Sequence, residues 1–452
     1  MDNISKTIDP KIRLIVTILL LFSGFVSLAS QTMMITALPV IEHEMNVSLT
    51  LVQWLTTGYT LMVGVITPLS SNLYEKFKKR NIFLATIAIF ILGTLIGCFA
   101  TDFWLLLLAR LVQACASGIL MSFQMTTMIS IYPIEKRGTI LGMSGLVIAF
   151  GPAIGPTLSG LIVNTLGWRY IFILVLPMML LVWSIGFFAF PNFSEPKDIK
   201  IDFISVGLSL LGSGLTLASL TFFQTSALQG WIMLVLGLAI LFIFVKRQLR
   251  LKQPMLKVQL VKNRSFRLMT LVGICAFMVL LGTEQMLPIF TQNVLHLNSM
   301  VSGMILLPGA IANALSAALV GRLYDKHGPK YLIISGGILM LIAAIPFVMI
   351  SETTPVWLLT VAYMLRMIGN ALVFSPAMSE AFVDVLPDEV SHATALNNSL
   401  RQAFGASSIT ILIVLSNIPA TFTAGMRLSM SVTVGLVLLM LTCFGLYLRK
   451  DA

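Results

Sequence analysis

The sequence predicts an all-α membrane protein with about fourteen transmembrane helices. Three observations carry this. Of the 452 residues, 57% are hydrophobic and only 10% charged. Soluble domains carry roughly 25% charged residues, so this chain cannot supply the polar shell a soluble core of its size needs. The apolar residues also come in blocks of about 18–25, the length that crosses a ~30 Å hydrocarbon layer. Two such blocks, Ile82 to Ala100 and Leu428 to Leu448, contain no charge. Finally, Lys and Arg gather in the short segments between blocks, mostly on alternate ones.

The blocks place spans at 14–37, 51–72, 82–100, 103–130, 139–163, 170–190, 203–223, 230–246, 268–291, 300–321, 330–350, 356–383, 392–415 and 428–448. Charged or turn-rich segments such as Lys76 to Arg80 and Pro191 to Asp202 separate them. The first block follows Lys11 and Arg13 as a signal peptide would. It lacks a small-x-small cleavage site and is expected to remain as a span. All but five of the 29 Lys and Arg fall on the termini and alternate loops, the exceptions being Arg110, Arg169, Arg366, Arg401 and Arg427. Basic loops stay inside, which predicts a multi-pass protein of the cell membrane with both termini cytoplasmic. The net charge of +11 then reflects one membrane face and its lipids, and no nucleic-acid partner is expected. Cys98, Cys115, Cys275 and Cys443 all lie inside apolar blocks without metal-ligand spacing, so neither a metal nor a disulfide is expected.

The longest polar stretch, 246–267, holds eight basic residues. It suits either a connector on an anionic membrane face or a solvated linker. It divides the chain into 1–190 (six spans), 191–267 (two extra spans and the connector) and 268–452 (six spans). The outer parts echo each other. LYEKFKKR at 73–80 returns as LYDKHGPK at 323–330, and Leu108, Arg110 and Gln113 return as Leu365, Arg366 and Asn370. Repeated bundles place a binding site at their interface, near the bilayer midplane, open alternately to each side. A transporter is therefore expected, acting as a monomer. No loop can hold a catalytic domain and no nucleotide or nucleophile motif occurs, so neither enzyme activity nor a cofactor is expected.

Several motifs sharpen this. Gly321, Asp325 and Gly328 mark the second copy of the loop motif; Ser71, Glu75 and Lys78 replace them in the first. Arg110 and Gln113 stand at i and i+3 in span 4, one face of a helix. An arginine so deep in a span must find acceptors inside the bundle. Span 5 reads GPAIGPTLSG over 151–160. Gly151, Gly155 and Ser159 form a bare face for close packing, while Pro152 and Pro156 kink the helix. With GWRYIF at 167–172, QWLTTGY at 53–59, LPIFTQN at 287–293 and LNNSLRQ at 396–402, these motifs resemble, in order and spacing over nearly the whole chain, a fourteen-span drug:proton antiporter of the major facilitator superfamily, the group of quaternary-ammonium and lincomycin exporters. The resemblance implies a major facilitator fold and proton-coupled efflux of drug-like, hydrophobic or cationic compounds. A dedicated antiporter for tetracycline-like compounds, a metabolite or monovalent cations is the alternative. It also implies that Gly321, Asp325 and Gly328 gate the conformational change with Gly151, Pro152, Gly155 and Pro156, and that Arg110 serves proton coupling.

One family feature is missing. Many members carry an Asp in span 1, near Ser30 here, yet no acid occurs between Arg13 and Pro39. The acid deepest in a span is Glu284, in span 9, the repeat partner of span 1. A low-dielectric setting favours the neutral carboxyl, and Glu284 is the expected proton carrier. Glu380 and Asp384, at the inner end of span 12, are second candidates. Gln31, Met33, Met34, Trp54, Tyr59, Phe123, Gln124, Gln285 and Asn398 are the candidate substrate contacts, Met and aromatic side chains being suited to varied ligands.

Overall fold

The computed structural model describes residues 9–132, 151, 154–193, 202–223, 226–251, 254–386 and 389–449. The segment expected to open span 5, with Gly142, and also Pro152, lie outside them, as do the side chains of Ser71, Glu75 and Asp325. Helices follow one another as α1 (Pro10–Met45), α2 (Trp54–Lys76), α3 (Lys79–Cys98), α4 (Phe103–Ile131), α5 (154–165), α6 (Arg169–Ala189) and α7 (Phe203–Phe222). Then come α8 (Ala227–Arg250), α9 (Arg264–Asn293), α10 (Ser299–His327), α11 (Pro329–Val348), α12 (Val356–Ala381), α13 (Val390–Ser416) and α14 (Phe422–Leu448). Among the described residues thirteen helices are long and apolar enough to cross a membrane. The chain is an all-helical, multi-pass membrane protein. Inside lipid every backbone polar group must be satisfied within its own segment, which a helix achieves. The ends need side chains. Asp102 accepts from Leu105 N at 3.0 Å, Asn298 from Val301 N at 2.9 Å, and Asn263 from Phe266 N at 3.1 Å.

The first six and last six helices pack in the same pattern. In the first group α4 lies on α2 and α3, α3 on α6, and α1 on α6 and α4. In the last, α12 lies on α10 and α11, α11 on α14, and α9 on α14 and α12. The groups meet where α1 faces α9, α2 faces α13, and α5 faces α10. The remaining pair, α7 and α8, forms a hairpin whose α7 rests on both α2 and α13. Leu211, Trp231, Val235 and Phe242 make its outer surface apolar and exposed, as a lipid-facing hairpin requires. Asp202 clasps its base, accepting from Arg247 at 2.9 and 3.1 Å and from the Ser205 hydroxyl. Burial alone would lift the Asp202 carboxyl, but these hydrogen bonds outweigh it and hold it below the usual carboxylate range. The clasp is therefore intact above that range and opens only as pH falls through the depressed value. Gln248 extends it, donating to Ser205 at 2.6 Å and accepting from Leu256 N at 3.0 Å, which ties the connector to the hairpin.

Two expectations change in detail. Span 1 is longer than 14–37: Asp9 caps it by accepting from Lys11 N, and it runs past Pro39 to Asn46, a left-handed cap with φ 51°. The loop motif at 321–328 is mostly helix, the last turns of α10. Only Gly328, with φ 68° and ψ −173°, leaves it. That backbone is essentially restricted to glycine. The first copy turns differently. Phe77 and Lys78 have φ of −117° and −59°, and the buried Lys79 reaches back to the carbonyls of Tyr74 and Phe77, capping α2. A lysine at 78 and a glycine at 328 thus each fit their own turn. Gly328→Ala is expected to destabilise the protein by about 1–3 kcal/mol, read as a lower unfolding midpoint in detergent. Lys78→Ala should stay within about 0.5 kcal/mol.

Candidate functional site

α5 is built to touch both groups of helices. On one face Gly151 lies against Leu28 and Ala29 of α1, and a Cβ at Gly155 would overlap the Thr32 hydroxyl and press on the Ala29 carbonyl. Ser159 donates to Met33 O and meets the Thr36 hydroxyl at 2.7 Å. The bare face read from the sequence is thus seated on α1. On the other face Gly160 abuts the backbone of Ser299 and Met300, and Gly303 that of Pro156 and Thr157. Thr157 donates to Gly303 O at 3.0 Å and Ser299 to Gly160 O at 3.2 Å. Gln292 of α9 completes this seam, donating to Thr36 O at 3.1 Å.

Arg110 is fully buried in the first group. It donates to Leu55 O at 3.3 Å, Ser30 O at 3.2 Å, Gln31 O at 3.3 Å and Gln113 Oε1 at 2.9 Å, and lies 4.2 Å from the centre of the Tyr59 ring. Gln113 donates onward to Thr94 at 2.9 Å. The arginine therefore ties α1, α2, α3 and α4 together, and it does so at Ser30, where an Asp was expected by resemblance. Tyr59 continues the network to Ser117 at 2.5 Å, and Ser117 receives Ser27 at 2.7 Å.

The second group is less satisfied. Arg366, the repeat partner of Arg110, donates to Thr433 at 2.5 Å, while its Nε and Nη1 have no partner. Glu284 is 4% exposed, two thirds of the way along α9. Among the described residues no hydrogen bond or ion pair reaches its carboxylate. It stands within electrostatic range of Tyr363 on α12, itself in range of Arg366. Gln285, beside it, has both amide atoms buried without a partner and shares a helical face with Gln292, seven residues on.

The other candidates scatter. Glu380 accepts from Tyr324 at 2.7 Å and Tyr447 at 2.5 Å, so it fastens the ends of α10, α12 and α14. Asp384 accepts from Ser265 at 2.6 Å at the start of α9. Gln31 donates to Thr60 at 3.4 Å, next to the arginine network. Met33 and Met34 are enclosed, Trp54 is half-buried at the start of α2, and Gln124 presses on Gly24. Phe123 packs among Tyr74, Phe83 and Phe190 with centroids 5.7, 6.4 and 6.2 Å away, inside the first group. Asn398 is half-buried on α13, beside Asn397, which donates to Thr270 at 3.1 Å. Gly321 has open space where a Cβ would stand. Sequence reasoning quoted Gln53 and Arg401 within motifs but made neither a site candidate; among the described residues both Gln53 amide atoms and the Arg401 Nε are buried without a partner. The rule that singled out Arg110, a basic residue inside an apolar block, could have found Arg401.

Two repeated six-helix groups, meeting along a seam with buried polar side chains on both sides, define a carrier of small molecules rather than an enzyme. Residues 20–410 match the Major Facilitator Superfamily. An uncharacterised MFS-type transporter of Bacillus subtilis, YcnB, is 37% identical over 92% of this chain and 89% of its own length. The lincomycin resistance protein LmrB of the same organism is 35% identical over 88% and 84%. The riboflavin transporter RibZ of Clostridioides difficile is 25% identical over 86% and 84%. A crystal structure of a POT family transporter has the same fold, with a TM-score of 0.72 at 16% identity over 95% of both chains. The chain belongs to the Major Facilitator Superfamily and is a transporter.

The seam makes one outcome specific. Gly155→Leu must push α5 off α1, because the atoms it meets include the Ala29 backbone. Transport into inverted vesicles should fall at least tenfold at equal expression. Gly321→Leu, with open space around it, should fall less than threefold.

Proposed function

We propose that this transporter exports drug-like compounds, hydrophobic or cationic, across the cell membrane in exchange for protons, with both termini in the cytoplasm. The observation that carries the reading is Glu284, a buried carboxyl inside α9 that no hydrogen bond or ion pair reaches among the described residues. An ionisable group placed in lipid without a structural bond is a functional group by default. In its neutral form it can stay buried while the carrier reorients. In its ionised form it can pair with a cation, so proton and substrate compete for one group. Glu380 and Asp384 are engaged by Tyr and Ser hydroxyls, which favours Glu284 over them. Arg110 supports the exchange by fixing α4 to α1. Its acceptors are carbonyl oxygens and the Ser30 hydroxyl, none of them a carboxylate, so it holds position rather than a proton.

Alternating access follows if 1–190 and 268–452 move as two bodies, with the two extra helices and the connector of 191–267 between them. The seam bonds at Thr36, Gly160 and Gly303 would then be the outer closure, and α5 the element on which it opens. Kinship with LmrB supports antibiotic efflux. Kinship with a riboflavin transporter keeps a dedicated metabolite carrier as the second reading. Riboflavin set beside lincomycin and cationic dyes in one export assay separates the two.

Glu284→Gln, a permanent mimic of the protonated state, should abolish uphill export in proteoliposomes with an imposed pH gradient. Binding of cationic dyes should weaken while binding of neutral ones is largely kept. In the wild type, cation affinity should rise with pH by up to about tenfold per unit, since each cation displaces one proton. A Glu284→Gln protein that still pumps uphill refutes the assignment. Topology is tested separately: tags at Met1 and Ala452 should resist protease added to intact cells, and cleavage of either reverses the orientation.

A further inference from the structure

Arg401 lies eleven residues inside α13, and the residue is only 6% exposed. Its guanidinium sits 5.0 Å from the Phe277 ring of α9 and 4.9 Å from the Phe374 ring of α12. Its Nη1 reaches only the Met378 sulfur, at 4.0 Å, and its Nε is buried without a partner. Among the described residues no oxygen accepts from it. The contrast with Arg110, whose three nitrogens donate to five oxygen atoms, is complete. A guanidinium that meets only aromatic rings and a thioether keeps its N–H edge unsatisfied by oxygen, and that edge matches an oxyanion in two parallel bonds. The position suits a visitor. Helices α12 and α13 each pack on α9, and Arg401 bridges from one to the other. Phe277, Phe374 and Met378 are each half-buried, so they present an apolar surface around the charge.

We propose that Arg401, with Phe277 and Phe374, forms a subsite for a carboxylate or similar oxyanion carried on a planar apolar compound. The inference rests on the export reading for its setting and adds an acidic class to the substrates. Phe277 and Glu284 are seven residues apart on α9, two turns along one face, or about 10 Å. A compound bearing both an acidic and a basic group at that separation can engage both.

The test is direct binding, with no gradient, to the full-length protein in phosphatidylcholine nanodiscs. The probes are fluorescent 9-anthroate and its methyl ester, which differ only in the charge. Wild-type protein should bind the acid at least tenfold more tightly than the ester. Arg401→Gln should abolish that difference without changing ester affinity, and Arg401→Lys should keep part of it. Equal wild-type affinity for acid and ester overturns the proposal, even if the variants do not fold. So does a preference that survives in Arg401→Gln. An anionic phospholipid that copurifies with the wild type but not with Arg401→Gln, without acid preference, assigns the arginine to lipid and also overturns it. Because no proton gradient is used, failure here leaves proton-coupled export standing, and failure of uphill export leaves this binding result standing.

Discussion

The architecture depends on the close approach of α5 to two helices that belong to different groups. In lipid there is no hydrophobic force between helices, and association comes from van der Waals contact and interhelical hydrogen bonds. Gly151 and Gly155 let α5 settle on α1, where Ser159 bonds Met33 and Thr36. Gly160 and Gly303 let the same helix meet α10 backbone to backbone. Fill either set and the seam separates by the width of a side chain. The rest of the interface lies around this contact: the neighbouring Gln292 bond, the placement of α9 beside α1, and the position of Glu284 about one turn from the α9 Pro at 288.

A second theme is the unequal treatment of buried charge. The first group satisfies its arginine completely, with main-chain oxygens of α1 and α2 as acceptors. Breaking such a set would leave a charge stranded in low dielectric, commonly a loss of 3–5 kcal/mol. In the second group Nε and Nη1 of Arg366 and Nε of Arg401 are buried without a hydrogen-bond partner among the described residues. The two repeat-related arginines are thus held differently, although the sequence presents them alike.

How much was legible beforehand varies with the range of the interaction. The spans were readable because lipid imposes a length and a composition on each one separately. The bare face of Gly151, Gly155 and Ser159 was readable because helical periodicity is local. That Arg110 needs acceptors was also readable, but not which ones, since carbonyl oxygens of Ser30, Gln31 and Leu55 carry no side-chain signature. Glu380 looked like a free acid because its tyrosines, Tyr324 and Tyr447, are 56 and 67 residues away. Phe123 looked like a ligand contact because an aromatic packed against Phe83 and Phe190 is indistinguishable in sequence from one facing a cavity. The place of α7 and α8 had no local signal at all, as an apolar helix surface reads the same against lipid or protein.

That hairpin breaks the two-fold equivalence of the seam. The two groups meet along two lateral lines, one where α2 faces α13 and one where α5 faces α10. With α7 resting on both α2 and α13, the hairpin stands across the first line. A compound dissolved among the acyl chains on that flank would meet the hairpin before it met the line, even though the two halves of the chain repeat.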